Sequence, residues 1–526
     1  MPEQFLKEIR KTFPNFSFRP YQRETINAVI KAFFIKGYDN VLIDMPTGGG
    51  KSIINYIIAR HFNDAWYTTP QIILLDQLEK DKLIQSTVPG VAVIKGRDKY
   101  ICPYLQKQQV LEGFTLSSKD ISCAVAPCVT NKDFYCTEQC PYQVARENAL
   151  DSPISALSFA FLILTRNHPD WGQRDLLIVD EGDDLESWAT EFGTLVFRTP
   201  ERFDNIFDVI RWAKSKLNKT KQEIRFLEDL NQLSIPMLKK LENLKKLEAK
   251  LELFLEDAEN NPQNWTFRKS GSKLEVKPLN AGGVLNRLVW WRGKKRLITS
   301  GTIINGNLFR KHNGLPGKTL YIRVPHTFPV ENRPIIYTPV GKMTKDERSN
   351  TYNNLIDKIH EIIDNHPNDN ILIHCHSYEI AQEISKRLDT NRRVIIHDSS
   401  DREDKLQEFI NSKNSILISV GFSRGVDLKY DLCRCQIITK IPYPDISDIR
   451  VQEIWVKRRN WKWARYQAIK NLVQMAGRIV RAEDDYGITY ILDSSFENLK
   501  RYKSEFPSWF LEAVQYPMSP DSTLIT

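Results

Sequence analysis

Short, mainly apolar runs alternate with stretches of helical periodicity in two separate parts of the chain. In the first part, such runs occupy residues 40–44 and 175–179. In the second part they recur at short intervals, at 370–376, 393–397, 415–419, 436–439 and 487–493. Buried strands separated by helices are typical of parallel sheets that carry helices on both faces. The pattern therefore predicts two doubly wound α/β domains.

A glycine-rich stretch, residues 45–52, joins the first apolar run to a helix predicted at 53–59. Glycines allow backbone N–H groups to turn towards a triphosphate, which the helix dipole also favours. Lys51 would reach the outer phosphates, and the Ser52 hydroxyl would bind Mg²⁺. Met45 departs mildly from the usual pattern, which has glycine or alanine at that position. The predicted ATP-binding residues of this loop are Thr47, Gly48, Gly49, Gly50, Lys51 and Ser52.

Two carboxylates follow the apolar run at 175–179. Asp180 would hold Mg²⁺ through water, and Glu181 would orient the water that attacks the γ-phosphate. An Asp-Glu pair at the end of a strand is, on its own, more often a turn or a helix cap. Because the chain also carries the Lys51 loop, we interpret the pair as the acidic half of a nucleotide site.

A third set of candidate residues lies late in the second part. Gln474, Arg478 and Arg481 are spaced so that they would share one face of a helix. Two arginines aimed at a γ-phosphate are what an arginine finger within one chain requires, since negative charge develops there in the transition state. A solvated basic helix face is the alternative interpretation. These three residues complete the predicted catalytic set.

Taken in order, these motifs resemble those of superfamily 2 helicases, and within them the XPD/DinG family of iron–sulfur helicases. This chain has Asp183 where the family usually has histidine, so the resemblance does not carry the family's coupling contact over to it. Two similar segments are assigned to the nucleotide: 18–22, which contains the adenine-reading Gln22, and 421–428, which contains Gly425 and Asp427. Segments 69–71 and 75–78 resemble a motif that contacts the nucleic-acid strand. The remaining similar segments are 299–302 and the linker between the motor domains, 328–334.

The resemblance implies two RecA-like motor domains with ATP between them, and movement along single-stranded DNA in the 5′ to 3′ direction. It also implies a division of the chain into four domains. They are a first motor domain formed by 1–95, 146–185 and 290–330, a cysteine-rich metal domain at 96–145, a helical arch domain at 186–289, and a second motor domain at 331–526.

Five of the eight cysteines fall in the insertion at 96–145. In a reducing compartment, such clustering favours a metal site over disulfides. The resemblance implies a four-iron, four-sulfur cluster, which needs four thiolates and leaves one cysteine over. Zinc held by four of the same thiolates stays open as the alternative, as does a loop without metal. The implied ligands are Cys102, Cys128, Cys136 and Cys140, with Cys123 as the alternative.

Leucines recur at spacings of three and four between residues 227 and 255, amid lysine and glutamate. This periodicity predicts an amphipathic helical hairpin, broken near Pro236. On its own the hairpin would be interpreted as a coiled-coil partner site. Its position after the acidic motif resembles the arch domain of the family.

Composition narrows the choice of partners only modestly. A net charge of +9 suits a polyanion but is also common in proteins that bind none. Aromatic residues interleaved with lysine and arginine at 455–466 are typical of single-strand grooves, although core packing would account for most of these rings. With no run of about 18 apolar residues and no secretory signal, we expect a cytoplasmic protein without membrane contact. It would be nucleoid-associated or lie in the cytoplasm of a host cell, or in the nucleus if the source is eukaryotic.

These observations together predict a monomeric ATP-dependent helicase that acts on single-stranded and forked duplex DNA, recruited by repair or replication proteins. One alternative is a DNA-stimulated translocase that removes proteins or R-loops without processive unwinding. Another is a binding subunit whose ATPase has decayed, and the presence of Lys51, Glu181 and Arg478 argues against it.

Overall fold

The structure, a computed structural model, describes residues 2–46, 48–112, 121–131, 133–136, 138–165, 168–398, 400–421 and 428–516. Its strands are β1 (Asn40–Asp44), β2 (Ala65–Thr69), β3 (Ala92–Ile94), β4 (Ile154–Ser158), β5 (Arg174–Asp180), β6 (Leu195–Arg198), β7 (Trp265–Ser270), β8 (Lys273–Pro278), β9 (Gly293–Ser300), β10 (Thr319–Arg323), β11 (Ile335–Gly341), β12 (Ile371–Cys375), β13 (Arg393–Ile396), β14 (Ser415–Val420), β15 (Cys435–Ile438), β16 (Ile488–Asp493) and β17 (Val514–Gln515).

The helices alternate with these strands in both halves of the chain. They are α1 (Pro2–Ile9), α2 (Gln22–Phe34), α3 (Lys51–Ala59), α4 (Ile72–Lys80), α5 (Lys82–Gln85), α6 (Pro103–Glu112), α7 (Pro127–Thr130), α8 (Pro141–Asp151), α9 (Phe159–Leu164), α10 (Leu185–Phe192), α11 (Ile206–Glu228), α12 (Ile235–Ala258), α13 (Ala281–Leu288), α14 (Gly306–His312), α15 (Arg348–Asn365), α16 (Tyr378–Arg387), α17 (Arg402–Ile410), α18 (Ile449–Val451), α19 (Trp461–Ala476), α20 (Phe496–Lys500) and α21 (Ser508–Glu512). Within the described part of the chain, no helix combines the length and the apolar character needed to cross a membrane.

The first sheet has seven parallel strands in the order β10-β1-β9-β5-β2-β4-β3. Its register places Asp44 of β1 beside Ser300, and Asp180 of β5 beside Thr299. Because the carboxyl ends of parallel strands meet at one edge, the loop after β1 and the acidic pair after β5 lie at the same edge of the sheet. The fold thus brings the two halves of the predicted nucleotide site together.

The second sheet also has seven parallel strands, in the order β13-β14-β12-β15-β16-β11-β17. Five of them, β12 to β16, are the strands predicted from the apolar runs. Ile371 and Ile373 pack into one apolar core, while Leu372 between them packs into another, so the sheet is buried on both faces. The prediction of two parallel-sheet α/β domains is confirmed.

The insertion after α10 contains a helical hairpin of α11 and α12 together with a small antiparallel sheet in the order β6-β8-β7. The hairpin turns before Ser234, whose hydroxyl caps α12, and Pro236 lies in the first turn of that helix. Phe254 and Trp265 are buried between the hairpin and the sheet. The sheet was not among the elements predicted for this insertion.

The cysteine segment packs onto the first domain rather than around a core of its own. Cys102 and Cys123 are buried in the same apolar cluster as the residues of the first sheet. A single antiparallel bridge joins Asn131 of this segment to Gln232 in the turn between α11 and α12. The cysteine segment therefore contacts the tip of the helical hairpin.

Candidate active site between the two sheets

The loop after β1 adopts the conformation that its glycines permit. Gly48 and Gly50 have φ angles of 82° and 80°, a left-handed conformation that residues with side chains rarely adopt. A Cβ at Gly48 would lie 2.4 Å from the ring of Phe328, so a larger residue would not fit there. α3 begins at Lys51, which places a helix N-terminus at the loop. Thr47 lies outside the described residues.

Gln22, the first residue of α2, and Arg19 just before this helix both contact the loop. Gln22 Nε2 donates to the carbonyls of Gly49, at 3.0 Å, and Gly50, at 3.3 Å. Gln22 Oε1 accepts from the backbone N–H of Arg19 at 2.9 Å, and the Arg19 guanidinium donates to the carbonyl of Gly48. The position of Gln22 is therefore linked directly to the shape of the phosphate loop.

Lys51 and Glu181 face each other at this edge, with Lys51 Nζ 3.4 Å from Glu181 Oε1. Glu181 has a φ of 52°, a strained conformation that marks functional sites when the surrounding fold enforces it. Burial would lower the pKa of Lys51, but Glu181 and Asp180 outweigh burial and raise it. Burial raises the pKa of Glu181, Lys51 opposes this, and Asp180 and Asp183 reinforce it. A carboxylate with a raised pKa suits a group that orients water and accepts its proton.

Asp180 is held by hydrogen bonds on both of its oxygens. The Tyr67 hydroxyl donates to Oδ2 at 2.6 Å, and the Thr299 hydroxyl donates to Oδ1 at 3.1 Å. Asn55 Nδ2 donates to both hydroxyl oxygens, of Tyr67 at 3.2 Å and of Thr299 at 2.9 Å. The Ser52 hydroxyl also hydrogen-bonds with Tyr67. Hard oxygen ligands of this kind are those that Mg²⁺ prefers, so Ser52 and Asp180 fit the predicted magnesium site.

The predicted shared helix face of the third motif is wrong, because the helix ends too early. α19 ends at Ala476, and Gly477 caps it. Arg478 and Arg481 lie in the non-helical stretch that follows. In that stretch residues 479–480 are buried in an apolar core of the second domain. Burial of these two side chains anchors the stretch and overrides the helical spacing.

Both arginines are nevertheless close to the nucleotide loop. The charge of Arg478 acts to lower the pKa of Glu181, and the charge of Arg481 acts to lower the pKa of Lys51. Residues from both domains therefore meet where a triphosphate would lie. Two further predicted nucleotide-site residues lie outside the described residues: Gly425 and Asp427.

Asp183 connects the acidic motif to two other motifs. Gln474 Nε2 donates to the Asp183 carboxylate and, at 3.0 Å, to Thr302 Oγ1. The Ser300 hydroxyl donates to the same carboxylate. Asp183 therefore connects the acidic motif with the segment at 299–302 and with Gln474 of α19.

Three polar residues of this region were not predicted from the sequence: Asn55, Tyr67 and Glu186. Asn55 lies one helical turn after Lys51 in an otherwise apolar helix, and this isolated polar position is a signal that could have identified it. Tyr67 lies in a strand, where tyrosine is common, so nothing in the sequence distinguishes it. Glu186 gives no local signal either, because its partners are far away in the sequence.

The thiols of the cysteine segment influence one another without forming a ready metal site. Cys123 Sγ lies 3.9 Å from Cys140 Sγ, and burial raises the pKa of Cys123 to about 12. Burial also raises the pKa of Cys128, with smaller contributions from Cys136, Cys140 and Cys102. Nowhere in the described ranges do three such ligands lie close enough to hold one ion. The Cys123–Cys140 separation is close to the roughly 3.8 Å expected between two thiolates that bind one zinc.

An exposed aromatic surface surrounds Trp461, which is 62% exposed. Trp455 stacks on Tyr443 with ring centroids 5.6 Å apart, and Trp461 meets Trp455 edge-on. Arg459 and Lys462 are exposed beside them. The remaining aromatic residues of this part are mostly buried, as core packing predicts, and include Trp463, Tyr466 and Phe510.

Two family models match the chain: Helicase C-terminal domain over residues 359–513, and type III restriction enzyme, res subunit, over residues 15–187. The chain is 26% identical to a probable ATP-dependent helicase of Methanocaldococcus jannaschii over 61% of its length and 53% of that protein. It is 25% identical to the ATP-dependent DNA helicase DinG of Photobacterium profundum over 50% of its length and 41% of that protein. Together, these matches support a superfamily 2 helicase of the XPD/DinG type.

Solved structures agree with this assignment at the level of the fold. A structure of an XPD helicase superposes with a TM-score of 0.62 at 16% identity, covering 95% of this chain and 100% of that one. Xpd4 of S. tokodaii superposes with a TM-score of 0.56 at 13% identity, with the same share of this chain and all of that one. The chain spans about half the length of the curated relatives it matches.

Proposed function

We propose that this chain is an ATP-dependent DNA helicase that moves along single-stranded DNA in the 5′ to 3′ direction. The observation that carries the proposal is the meeting of Lys51 and Glu181 from the first domain with Arg478 and Arg481 from the second. A site shared by two domains closes when a triphosphate bridges it and opens after hydrolysis. Strand contacts on the two domains then alternate, which moves the protein along the strand.

Each residue of the site has a defined part in hydrolysis. The Lys51 ammonium and the loop N–H groups bind the outer phosphates. Ser52 and Asp180 would hold Mg²⁺, which when bound draws charge from the phosphate oxygens. Glu181 orients the attacking water and accepts its proton. The two arginines beyond α19 stabilise the charge that develops on the γ-phosphate.

The nucleic-acid part of the proposal is supported by the surface around Trp461. An exposed ring flanked by Arg459 and Lys462 offers a base-stacking platform beside phosphate-binding cations. DNA rather than RNA is supported by the name of the DinG relative, which is a DNA helicase. The proposed substrates are single-stranded and forked duplex DNA. The proposed protein is a cytoplasmic or nuclear monomer recruited by repair or replication proteins.

The two insertions are proposed to guide the strand. The helical insertion contacts the cysteine segment at Gln232, and Arg268 Nη1 donates to the Ser447 carbonyl of the second domain at 3.0 Å. The cysteine segment would hold a four-iron, four-sulfur cluster on four thiolates, with zinc as the second candidate. The proposed ligands remain Cys102, Cys128, Cys136 and Cys140, with Cys123 as the alternative.

An unwinding assay with matched 5′-tailed, 3′-tailed and RNA-tailed duplexes tests the proposal. We expect ATP-dependent strand release from the 5′-tailed DNA substrate alone. Release from the 3′-tailed substrate alone would overturn the direction, and release from the RNA-tailed substrate alone would overturn the choice of DNA. Displacement of a protein bound to the tail, without strand separation on a fork, would favour the translocase.

A further inference from the structure

One face of α19 lies along the acidic motif of the first domain. Four side chains with N–H donors recur there at helical spacing and share this face: Trp463, Gln467, Lys470 and Gln474. The first two donate to Glu186. Lys470 Nζ donates to the backbone carbonyl of Asp183 at 3.1 Å, and Gln474 donates to its carboxylate. The helix is therefore attached to the acidic motif at both ends of this face.

Glu186 is the buried end of this attachment, with a side chain only 5% exposed. Its Oε1 accepts from Arg450 Nη2 at 2.6 Å and from Trp463 Nε1 at 3.0 Å, and its Oε2 accepts from Gln467 Nε2 at 2.8 Å. Burial would raise the pKa of Glu186, but Arg450, together with His312 and Lys470, outweighs burial and holds it at about 2. Because a buried charge that loses its partners is costly, this contact resists displacement.

Arg450 extends the contact to the end of the helical insertion. While its Nη2 holds Glu186, its Nε donates to the backbone carbonyl of Leu279 at 3.3 Å. Asp448, which lies just before Arg450, pairs with Lys277 of β8. The same arginine thus touches the helix that follows the acidic motif and the point where the insertion returns to the first domain.

We propose that Glu186 is a positioning residue for hydrolysis, and that Arg450 transmits movement of the acidic motif to the helical insertion. This inference rests on the proposed function, because it describes how the nucleotide site is coupled to the helical insertion. α19 has 16 residues and is a rigid rod of about 24 Å. If its start is released from Glu186, its far end tilts and displaces Arg478 from the γ-phosphate. The Lys51 loop, where ATP binds, is not disturbed.

Trp463→Phe tests the positioning role, because it removes one donor to Glu186 and keeps an aromatic ring. We expect kcat for DNA-stimulated ATP hydrolysis to fall about tenfold and KM for ATP to change less than about twofold. Trp265→Phe is the matched control, since its indole Nε1 also donates to a buried carboxylate, that of Asp257, at 2.8 Å. Both variants should lower Tm by a similar amount, but only Trp463→Phe should lower kcat.

Arg450→Lys tests the link to the insertion. Lysine keeps a positive charge for Glu186 but lacks the planar fork that also reaches Leu279. We expect hydrolysis without DNA to persist and its stimulation by single-stranded DNA to fall about fivefold. Arg287→Lys is the control, because the Arg287 guanidinium also donates to a carboxylate, that of Glu256, and to a backbone carbonyl, both on α12. Its DNA stimulation should match the wild type.

Equal kcat in the wild type and in the Trp463→Phe variant, with Tm lowered as in Trp265→Phe, would overturn the positioning role. Unchanged DNA stimulation in Arg450→Lys would overturn the link to the insertion. If the wild-type chain hydrolysed no ATP at all, the proposed function itself would fail, and this inference with it. The wild-type measurement therefore separates the two failures.

Discussion

The nucleotide cleft and the cysteine segment both gather reactive side chains from separate parts of the chain, but they differ in what holds those side chains. In the cleft, Asp180 accepts hydrogen bonds on both oxygens and Lys51 lies against Glu181. In the cysteine segment, Cys123 and Cys140 approach to 3.9 Å, and no three ligands within the described ranges converge on one point. The cleft is organised by the protein itself, whereas the cysteine segment gathers its thiols without fixing them.

The difference follows from the amount of structure beneath each region. The cleft lies at the edges of two seven-stranded sheets with large apolar cores, so the loss of one polar side chain leaves the fold intact. The cysteine segment shares the core of the first domain through Cys102 and Cys123. We expect a segment this short to complete its fold through metal–thiolate bonds. Changes in the cleft should therefore abolish chemistry, and changes at the thiols should unfold the segment locally.

The largest expected effect is that of Lys51→Ala. Removing the ammonium that binds the outer phosphates should lower kcat for ATP hydrolysis by at least about a thousandfold. Affinity for single-stranded DNA should stay within about twofold, because we propose that Lys51 binds phosphates of ATP rather than of DNA. Hydrolysis by a coupled assay and DNA binding by fluorescence anisotropy measure the two quantities.

Lys295→Ala is the matched control for this variant. Lys295 lies in β9 of the same sheet and pairs with Asp39 at 3.2 Å, near the opposite ends of the strands. We expect its hydrolysis rate to equal that of the wild type. A Lys51→Ala variant that hydrolysed ATP at nearly the wild-type rate would contradict the assignment of the cleft.

Cys140→Ser should have the next largest effect. It should impair the cysteine segment while leaving the nucleotide cleft intact. We expect about four iron atoms per chain in anaerobically purified wild type and a loss of most of them in the variant. Unwinding should be lost while residual DNA-stimulated hydrolysis remains, because the motor domains stay folded. Limited proteolysis should show new cleavage confined to the cysteine segment. One zinc per chain in the wild type would support the alternative metal.

Two further variants sharpen this result. Cys375→Ser changes a buried cysteine of the second sheet and should leave the metal content unchanged. Cys123→Ser should also keep its metal, if Cys123 is the cysteine that the cluster does not use. Loss of iron in Cys123→Ser with retention in Cys128→Ser would contradict the proposed ligand set. Full unwinding by a protein free of both metals would contradict the whole account of this segment.

The parts of the molecule that could be predicted from the sequence are those set by local pattern. The run at 40–44 is β1 with the same limits, and all five apolar runs of the second part are strands of one sheet. The glycine loop and the acidic pair follow from their places at strand ends. The helical spacing of Gln474, Arg478 and Arg481 gave a wrong prediction, because α19 ends before Gly477 and residues 479–480 are buried in the second domain.

Other features depend on partners that are distant in the sequence. Tyr67 and Asp180 form a hydrogen bond across 113 positions, and Glu186 and Arg450 across 264. No periodicity encodes such pairs, so only the fold reveals them. The small antiparallel sheet is different, since β8 alternates buried and less buried residues, and this alternation was present in the sequence. The stronger helical pattern around β8 predicts only the hairpin.

The smallest expected effect tests how far the protein alone organises Asp180. Tyr67→Phe keeps the buried ring and removes the hydroxyl that donates to Asp180 at 2.6 Å. Burial and the charge of Asp180 raise the pKa of Tyr67, so this hydroxyl stays protonated and donates at neutral pH. Its loss should lower the stability of the chain by about 1–3 kcal/mol, because one oxygen of a buried carboxylate loses a partner. The freed oxygen should also be held less firmly for Mg²⁺.

We therefore expect the Mg²⁺ concentration for half-maximal hydrolysis to rise about threefold to tenfold in Tyr67→Phe, with a smaller fall in kcat at saturating Mg²⁺. Tyr56→Phe is the matched control, because Tyr56 is equally buried and its hydroxyl donates to the Pro89 carbonyl at 2.6 Å. Both variants should lose stability, and only Tyr67→Phe should change the Mg²⁺ dependence. If the two Mg²⁺ titrations coincide, Tyr67 stabilises the fold without preparing Asp180. The cleft would then depend on its metal for order, as we propose for the cysteine segment.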